Sequence, residues 1–196
     1  TFIIENDGAK QISDLPGTWD IHTIESNSNL LLQGNYKGLS ILEKINGQWR
    51  FRNRVEGFNS SSRFFEFIDV EHILVNHDYK GIFDLKIDTG FNTITEVKEI
   101  ESKGTGSSLL KYDEEIIYTT INGVFAFITE QQEFSKDSLL TSKFFDRDES
   151  IIGILKPTNN SEKIWGFTND NIISVSPGLL SDAPQRIKIP IPNFFR

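Results

Sequence analysis

Histidine is the residue type in this chain best suited to acid–base chemistry or metal binding near neutral pH. The three histidines are His22, His72 and His77. No two of them have the His-x-x-x-His spacing of a zinc hydrolase, and no serine lies in the Gly-x-Ser-x-Gly pattern of a hydrolase nucleophile. The chain contains no cysteine, which excludes disulfides, thiolate metal sites and cysteine nucleophiles. We therefore predict no catalytic residue and no metal site, and interpret the histidines as structural.

Three arginines follow an alternating pattern that could form an anion site. Arg50, Arg52 and Arg54 are separated by single residues, so a strand would place all three guanidinium groups on one side. The interpretation that we favour is the outer edge of a sheet, where charge prevents pairing with other chains. Arg50 and Arg52, together with His77 and Asp78, are the candidate ligand-binding residues of the sequence.

Two loops have compositions that bind ions in other proteins. Residues 103–108 are glycine-rich and could cradle an anion, but they lack the phosphate-loop pattern and a following helix. Residues 146–150 are rich in carboxylates, but Ile151 and Pro157 stand where a Ca²⁺ loop of the EF-hand type needs glycine and glutamate. We interpret the first segment as a flexible connection and the second as an exposed acidic turn, and we predict no cofactor.

Net charge and hydropathy limit the kinds of molecule that this chain is expected to bind. The 196 residues carry a formal net charge of −8, whereas nucleic-acid-binding surfaces are normally basic. The apolar fraction of 37% includes 16 Phe and 3 Trp, but no apolar run approaches the roughly 20 residues of a membrane-spanning helix. The first residues also lack the basic region and apolar core of a signal peptide. We therefore expect this segment to contact neither nucleic acid nor a membrane.

A short phrase recurs along the chain at a nearly constant period. Residues 36–38 read Tyr-Lys-Gly, and residues 79–81, 43 positions later, read the same. Weaker copies place Gly123 another 42 residues on and Asn171 a further 48 residues on. Each copy lies between two apolar runs, which predicts a β-hairpin whose turn uses glycine or asparagine at positive φ. We interpret the phrase as a structural turn in which tyrosine packs between repeats, with direct ligand binding as the alternative.

Further strand-like stretches flank every hairpin, one before it and a more polar one after it. Each unit of about 42 to 48 residues thus contains four strands, and no stretch has convincing helical periodicity. This pattern predicts an all-β fold, namely a β-propeller fragment of about four blades of four antiparallel strands. A sandwich of short strands is the alternative, but it does not explain the recurring glycine.

The repeat also sets the expected domain organisation. We divide the chain into approximate blades at residues 13–56, 57–104, 105–147 and 148–196, all within one domain. Residues 1–12 are interpreted as the tail of a preceding blade. The absence of methionine and the Pro-Ile-Pro sequence at 190–192 lead us to expect an excerpt from a longer protein and from a larger ring.

The repeats also resemble a known family. Residues 77–85, His-Asp-Tyr-Lys-Gly-Ile-Phe-Asp-Leu, resemble the H-x-Y-K-G-hydrophobic-aromatic-x-L phrase of periplasmic sensor propellers in Bacteroidetes-type bacteria. Residues 111–125 are similar to their next blade, and residues 163–167 to their hydrophobic-Trp strand. The resemblance, to the two-component regulator propellers, covers residues 17 to 175. The chain departs from the family pattern at Asn171, and it contains no tyrosine-rich or output domain.

The resemblance implies a function that the residues themselves do not encode. In that family the blades form the extracytoplasmic part of a signalling protein, followed by a triple-tyrosine immunoglobulin-like domain, a membrane helix and a histidine kinase or LuxR-type output. It implies a non-catalytic periplasmic sensor within a membrane-anchored protein of signal transduction or transcription regulation. Its partners would be a small molecule or a glycan, together with the adjoining blades and signalling domains.

Two other functions compete with the sensor. A glycan lyase or hydrolase would need acids or histidines at one strand position in several blades. The equivalent first-strand positions hold Asp20, Glu66, Lys111 and Gly153, which do not form such a cluster, so we expect no enzyme. A passive scaffold for protein interaction is the remaining alternative.

Overall fold

The computed structural model describes residues 1–5, 8–101, 106–112, 114–144, 153–155, 163–167, 171–176 and 183–188. Nearly all regular structure is β. The strands are β1 (Phe2–Glu5), β2 (Gly8–Gln11), β3 (Asp20–Thr23), β4 (Leu30–Asn35), β5 (Gly38–Ile45), β6 (Gln48–Val55), β7 (Phe64–Phe67), β8 (His72–His77), β9 (Gly81–Ile87), β10 (Ile94–Glu101), β11 (Ser108–Tyr112), β12 (Glu115–Thr120), β13 (Gly123–Ile128), β14 (Glu133–Lys136), β15 (Gly153–Leu155), β16 (Ile164–Phe167), β17 (Asn171–Val175) and β18 (Gln185–Lys188). One helix, α1 (Ser138–Phe144), follows β14.

The strands form sheets in strict sequence order. Four sheets have four strands each, β3 to β6, β7 to β10, β11 to β14 and β15 to β18, and in each sheet every strand pairs with the next one along the chain. β1 and β2 form a separate antiparallel pair. Sequential meanders of this kind are the blades of a propeller. The chain divides into two compact units, residues 1–77 with 81–100 and residues 78–80 with 101–196.

The core of the first unit lies between its two four-stranded sheets. Leu32 and Ile41 in the middle strands of one sheet, and Ile73, Val75 and Leu85 in those of the other, are fully buried in a single cluster. Their alternate spacing along each strand brings one face of each sheet into this cluster. Burying an aliphatic side chain of this size contributes roughly 1.5–3 kcal/mol, so these apolar runs supply the main stabilisation of the unit.

The recurring glycine has a conformational cause. Gly38, Gly81 and Gly123 begin the third strands of their sheets with φ of 80°, 99° and 139°, a region that side chains other than glycine rarely adopt. At Gly38 a Cβ would also lie 2.1 Å from the carbonyl oxygen of Phe58. Asn171 begins β17 at the corresponding place in the fourth sheet.

The two Tyr-Lys-Gly phrases form turns of different length. Gly38 pairs with Asn35 across a turn of two residues, whereas Gly81 pairs with His77 across a turn of three. The additional residue is Asp78. Identical phrases therefore do not give identical loops at this end of the two sheets.

Helix α1 corrects the expectation of a chain without helices. It has seven residues, which is too short for apolar periodicity to stand out in the sequence. Asp137 caps it, because the N–H of Leu140 donates to Asp137 Oδ1 at 2.8 Å. Leu140 and Phe144 are buried with Ile117 and Val124 in the core of the second unit. Tertiary burial, rather than length, therefore stabilises this helix.

Several sequence predictions fall outside the described residues. These are residues 103–105 of the glycine-rich loop, the acidic segment 146–150 and the Pro-Ile-Pro sequence at 190–192. The blade boundaries and the assignment of residues 1–12 to a preceding blade stay predictions. In the described part of the chain, no helix is long and apolar enough to span a membrane.

Candidate functional site

A histidine lies between two carboxylates in the first unit. His22 Nε2 lies 2.9 Å from Asp20 Oδ2, and His22 Nδ1 lies 3.5 Å from Glu66 Oε2. Asp20 and His22 share one face of β3, while Glu66 lies on β7, the first strand of the next sheet, and is only 8% exposed. The imidazole also packs on the ring of Phe65 with a centroid distance of 4.5 Å. We call these three residues the carboxylate–histidine cluster.

The environment of His22 favours its charged form. Burial by itself lowers the pKa of this imidazole, but the hydrogen bond to Asp20 and the charges of Glu66 and Asp20 outweigh it and raise the pKa. A protonated imidazole donates from both nitrogens and has no lone pair with which to accept a proton. Because both nitrogens of His22 face carboxylates, the arrangement stabilises the protonated imidazole.

The sequence did not point to this cluster. At the strand position of Asp20 and Glu66 the other two units have Lys111 and Gly153, so this position alone does not indicate a cluster with His22. The structure brings together two residues of β3 and one of β7, so the cluster depends on how two sheets pack. The Asp-x-His spacing on a short strand, which places both side chains on one face, was the available signal.

An exposed aromatic surface lies at the end of the first sheet where β3 begins. Trp19 and Tyr36 are 44% and 52% exposed, and their rings meet edge to face with centroids 5.1 Å apart. The guanidinium carbon of Arg63 lies 5.2 Å from the centre of the Trp19 ring and 5.0 Å from that of Phe64. We call these four residues the aromatic–arginine surface.

Tight backbone contacts hold this surface in place. A Cβ on Gly17 would lie 2.2 Å from Cγ of Tyr36, so only glycine lets the tyrosine ring lie flat against the backbone there. The N–H of Ser62 donates to Asn35 O at 3.0 Å, and the N–H of Gly38 donates to Ser60 O at 2.8 Å. These bonds tie the segment before Arg63 to the turn that carries Tyr36.

The ring of Tyr36 packs on Gly17 and Trp19, just before the first strand of its own sheet. The expected packing of this tyrosine between repeats stays a prediction. Tyr79, the counterpart in the longer turn, is 74% exposed. The glycine of the Tyr-Lys-Gly phrase has a structural role, whereas its two tyrosine side chains are exposed to solvent.

The other two histidines lie at the two ends of β8. His77 ends β8 half-buried, and Asp78 follows it in the turn before β9. His72 begins β8, where its Nδ1 lies 3.6 Å from Asp69 Oδ2. Ligand binding by His77 and Asp78 stays a prediction.

The three arginines do not share one side of β6. Arg50 lies opposite Glu43 and Arg54 lies opposite Ser40, with a register shift between them. Since Glu43 and Ser40 point to opposite faces of β5, so do Arg50 and Arg54. The prediction of a common side is wrong because a bulge, which pattern alone does not reveal, inserts Arg52 between them.

Arg50 and Arg52 accordingly have different surroundings. Arg52 donates through Nη2 to Gly90 O at 2.9 Å, which docks the loop between β9 and β10 onto β6. Arg50 is exposed and lines a cleft beside the β1–β2 pair. Of the two, Arg52 holds a loop, while ligand binding by Arg50 stays a prediction. Among the described residues, no group of three or more histidine and acidic side chains could hold a metal ion.

Comparison with known proteins identifies the fold. No family model matches the sequence, and no curated protein matches it. The extracellular domain of a protein described as a hybrid two-component system from Bacteroides thetaiotaomicron matches with a TM-score of 0.58 and 18% identity over 90% of this chain. An auxiliary nutrient binding protein from the same organism matches with a TM-score of 0.61 and 14% identity over 88% of this chain. The WD40 β-propeller domain of Doa1 matches with a TM-score of 0.50 and 14% identity over 80%.

The chain is a β-propeller fragment. The predicted fold class is thus confirmed, and so, at the level of the fold, is the resemblance to the propeller of a two-component sensor. The chain spans 22%, 42% and 49% of the lengths of these three structures.

Proposed function

We propose that this chain is part of a non-catalytic, extracytoplasmic ligand-recognition propeller in a bacterial signal-transduction protein. The observation that carries the proposal is the aromatic–arginine surface. Half-exposed indole and phenol rings offer apolar faces with polar tips, and the guanidinium supplies several N–H donors. Such a surface suits a sugar ring or another flat polar molecule.

The likeness in fold supports the same proposal. One structural neighbour is the extracellular domain of a two-component system, and another is described as nutrient binding. By this analogy the chain is periplasmic, its ligand is a small molecule or a glycan, and its partners are adjoining blades and signalling domains. A ligand changes signalling only if it binds one arrangement of those domains better than another.

The carboxylate–histidine cluster favours the enzymatic alternative. Two carboxylates and a histidine are the side chains that glycan lyases and hydrolases use for proton transfer. Here, however, the two carboxylates face both nitrogens of His22 and raise its pKa. We therefore propose a structural and electrostatic role for the cluster and no catalysis by this chain.

An oligosaccharide binding screen tests the proposal. The full 196-residue chain would be titrated calorimetrically, and each hit would be incubated with the chain and analysed for cleavage products. We expect binding that Trp19→Ala and Tyr36→Ala each weaken by about tenfold, as expected from losing an aromatic contact of 1–1.5 kcal/mol.

The control is Val97→Ala, which shortens an exposed apolar side chain on β10 of the other sheet and should leave that affinity unchanged. Binding without any effect of the Trp19 and Tyr36 variants would overturn the assignment of the surface. Cleavage products that disappear in His22→Gln would overturn the non-catalytic proposal.

A further inference from the structure

A cleft of about 340 Å³ lies between the β1–β2 pair and the turn that joins β5 to β6. Its polar wall consists of Lys10, Gln11, Asn46, Gln48 and Arg50, and Trp49 supplies an aromatic wall. The volume is at the lower end of the range for small-molecule sites, roughly 300–1,000 Å³. The space therefore suits a ligand with a single ring.

Both sides of the cleft are held by backbone structure. The N–H of Phe51 in β6 donates to Ile12 O at 3.1 Å, which fixes the end of the β1–β2 pair against the sheet. On the other side, Asn46 and Gly47 have φ of 51° and 80°, the values of a tight two-residue hairpin turn. The lining residues are thus presented by two hairpins, and not by long loops.

The charge of the cleft is opposite to that of the chain. Lys10 and Arg50 line it, and among the described lining residues there is no carboxylate, although the chain carries a net charge of −8. Arg50 Nη2 lies 3.5 Å from Glu43 Oε2, a long and exposed ion pair that contributes little. A guanidinium has five N–H donors, so this contact leaves Arg50 able to bind an anion.

Trp49 completes the site with a flat surface. Its ring is half-buried, and Lys44 Nζ lies 5.7 Å from the ring centre. This exposed cation–π contact is weak, but the lysine adds positive potential near the ring. The side-chain amides of Gln11, Asn46 and Gln48 can each donate and accept hydrogen bonds, so they suit polar substituents on a ligand ring.

We propose that this cleft binds a small organic anion with one ring. Its carboxylate or sulfate group contacts Lys10 and Arg50, and its ring lies against Trp49. The site is separate from the aromatic–arginine surface, because the eight residues of β5 span about 25 Å between the two ends of the sheet. The inference therefore does not depend on the proposed function.

Calorimetric titration of the 196-residue chain with three probes tests this site. The probes are D-glucuronate, which has a hydroxylated ring and a carboxylate, benzoate, which has an aromatic ring and a carboxylate, and D-glucose, which lacks the charge. We expect one or both anions to bind and glucose to bind at least tenfold more weakly, because glucose lacks the charge-assisted contacts with Lys10 and Arg50. The anion that binds more tightly shows whether the cleft prefers a hydroxylated or an aromatic ring.

Exposed-residue variants assign the binding to the cleft without disturbing the core. Arg50→Gln and Lys10→Gln should each weaken binding of the anion by about tenfold, and Trp19→Ala should leave it unchanged. Failure of both anions to bind, equal binding of glucose, or full affinity in both charge variants would overturn the proposal. Loss of affinity in Trp19→Ala alone would place the ligand on the aromatic–arginine surface instead.

Discussion

The Nε2 atom of His22 lies 2.9 Å from Oδ2 of Asp20, two residues earlier on the same strand. Glu66, on the first strand of the neighbouring sheet, approaches the other ring nitrogen. The charge of the imidazole is therefore set by two carboxylates that the fold supplies. The electrostatic environment of His22 thus requires both β3 and β7, which the packing of two sheets brings together.

The first prediction concerns stability as a function of pH. Because the pKa of His22 is raised in the folded chain, its protonation stabilises the fold below the ordinary histidine pKa of about 6.5, and this contribution is lost as pH rises through the folded value. Urea unfolding of the wild type and His22→Gln should therefore differ most near pH 5.5 and converge above the folded pKa. A difference that is constant from pH 5.5 to 9 would contradict this expectation.

The second prediction concerns the loop between β9 and β10. Desolvation alone would raise the pKa of Asp88, but the backbone N–H groups of Thr93, Asn92 and Gly90 donate to its carboxylate and lower the pKa. This stabilisation is present above the ordinary aspartate pKa of about 3.9 and is lost as pH falls through the lower folded value. Asp88→Asn should reduce the Tm at pH 7 by about 2–4 °C.

The pH dependence distinguishes this loop from general surface charge. The gap in Tm between wild type and Asp88→Asn should close as pH falls through the folded pKa of Asp88. Glu25→Gln, which neutralises an exposed acid in another loop, is the control and should leave the Tm at pH 7 within about 1 °C, because exposed charges contribute little. An equal loss in both variants would exclude the capping role of Asp88.

Much of the fold could be predicted because it repeats. In the first three four-stranded sheets a glycine at positive φ begins the third strand, so Gly38, Gly81 and Gly123 mark the period. The Asn-Gly turn at 46 and 47 also has positive φ at both residues. A backbone requirement of this kind selects one residue type at one position, so it can be read directly from the sequence. This is why four four-stranded sheets could be predicted.

The candidate sites were less predictable because they arise between elements. The carboxylate–histidine cluster needs β3 and β7 side by side, and the cleft at Arg50 needs the β1–β2 pair beside β6. The bulge at Arg52 reversed the expected side of its neighbours. None of these three features can be predicted from the alternation of side chains along a single strand.

The third prediction concerns the short helix of the second unit. Asp137→Ala removes the side-chain acceptor for the N–H of Leu140 and should destabilise the chain by about 1 kcal/mol, as for other N-cap residues. Ser138→Ala, at the next and exposed position, is the control and should change the free energy of unfolding by less than about 0.5 kcal/mol. Equal effects in urea unfolding would show that Asp137 does not act as a cap.

The fourth prediction separates two reasons for glycine in a hairpin turn. Gly38 and Gly47 have the same φ of 80°, but a Cβ at Gly38 would lie 2.1 Å from the Phe58 carbonyl oxygen, whereas a Cβ at Gly47 would have no atom within 4 Å. Gly47→Ala should therefore cost about 1–2 kcal/mol for the left-handed conformation alone. Gly38→Ala should cost more than this, because the backbone of the Phe58 segment must also move. Equal losses of unfolding free energy in the two variants would mean that the close approach to Phe58 relaxes without cost, and that conformation alone fixes the repeated glycine.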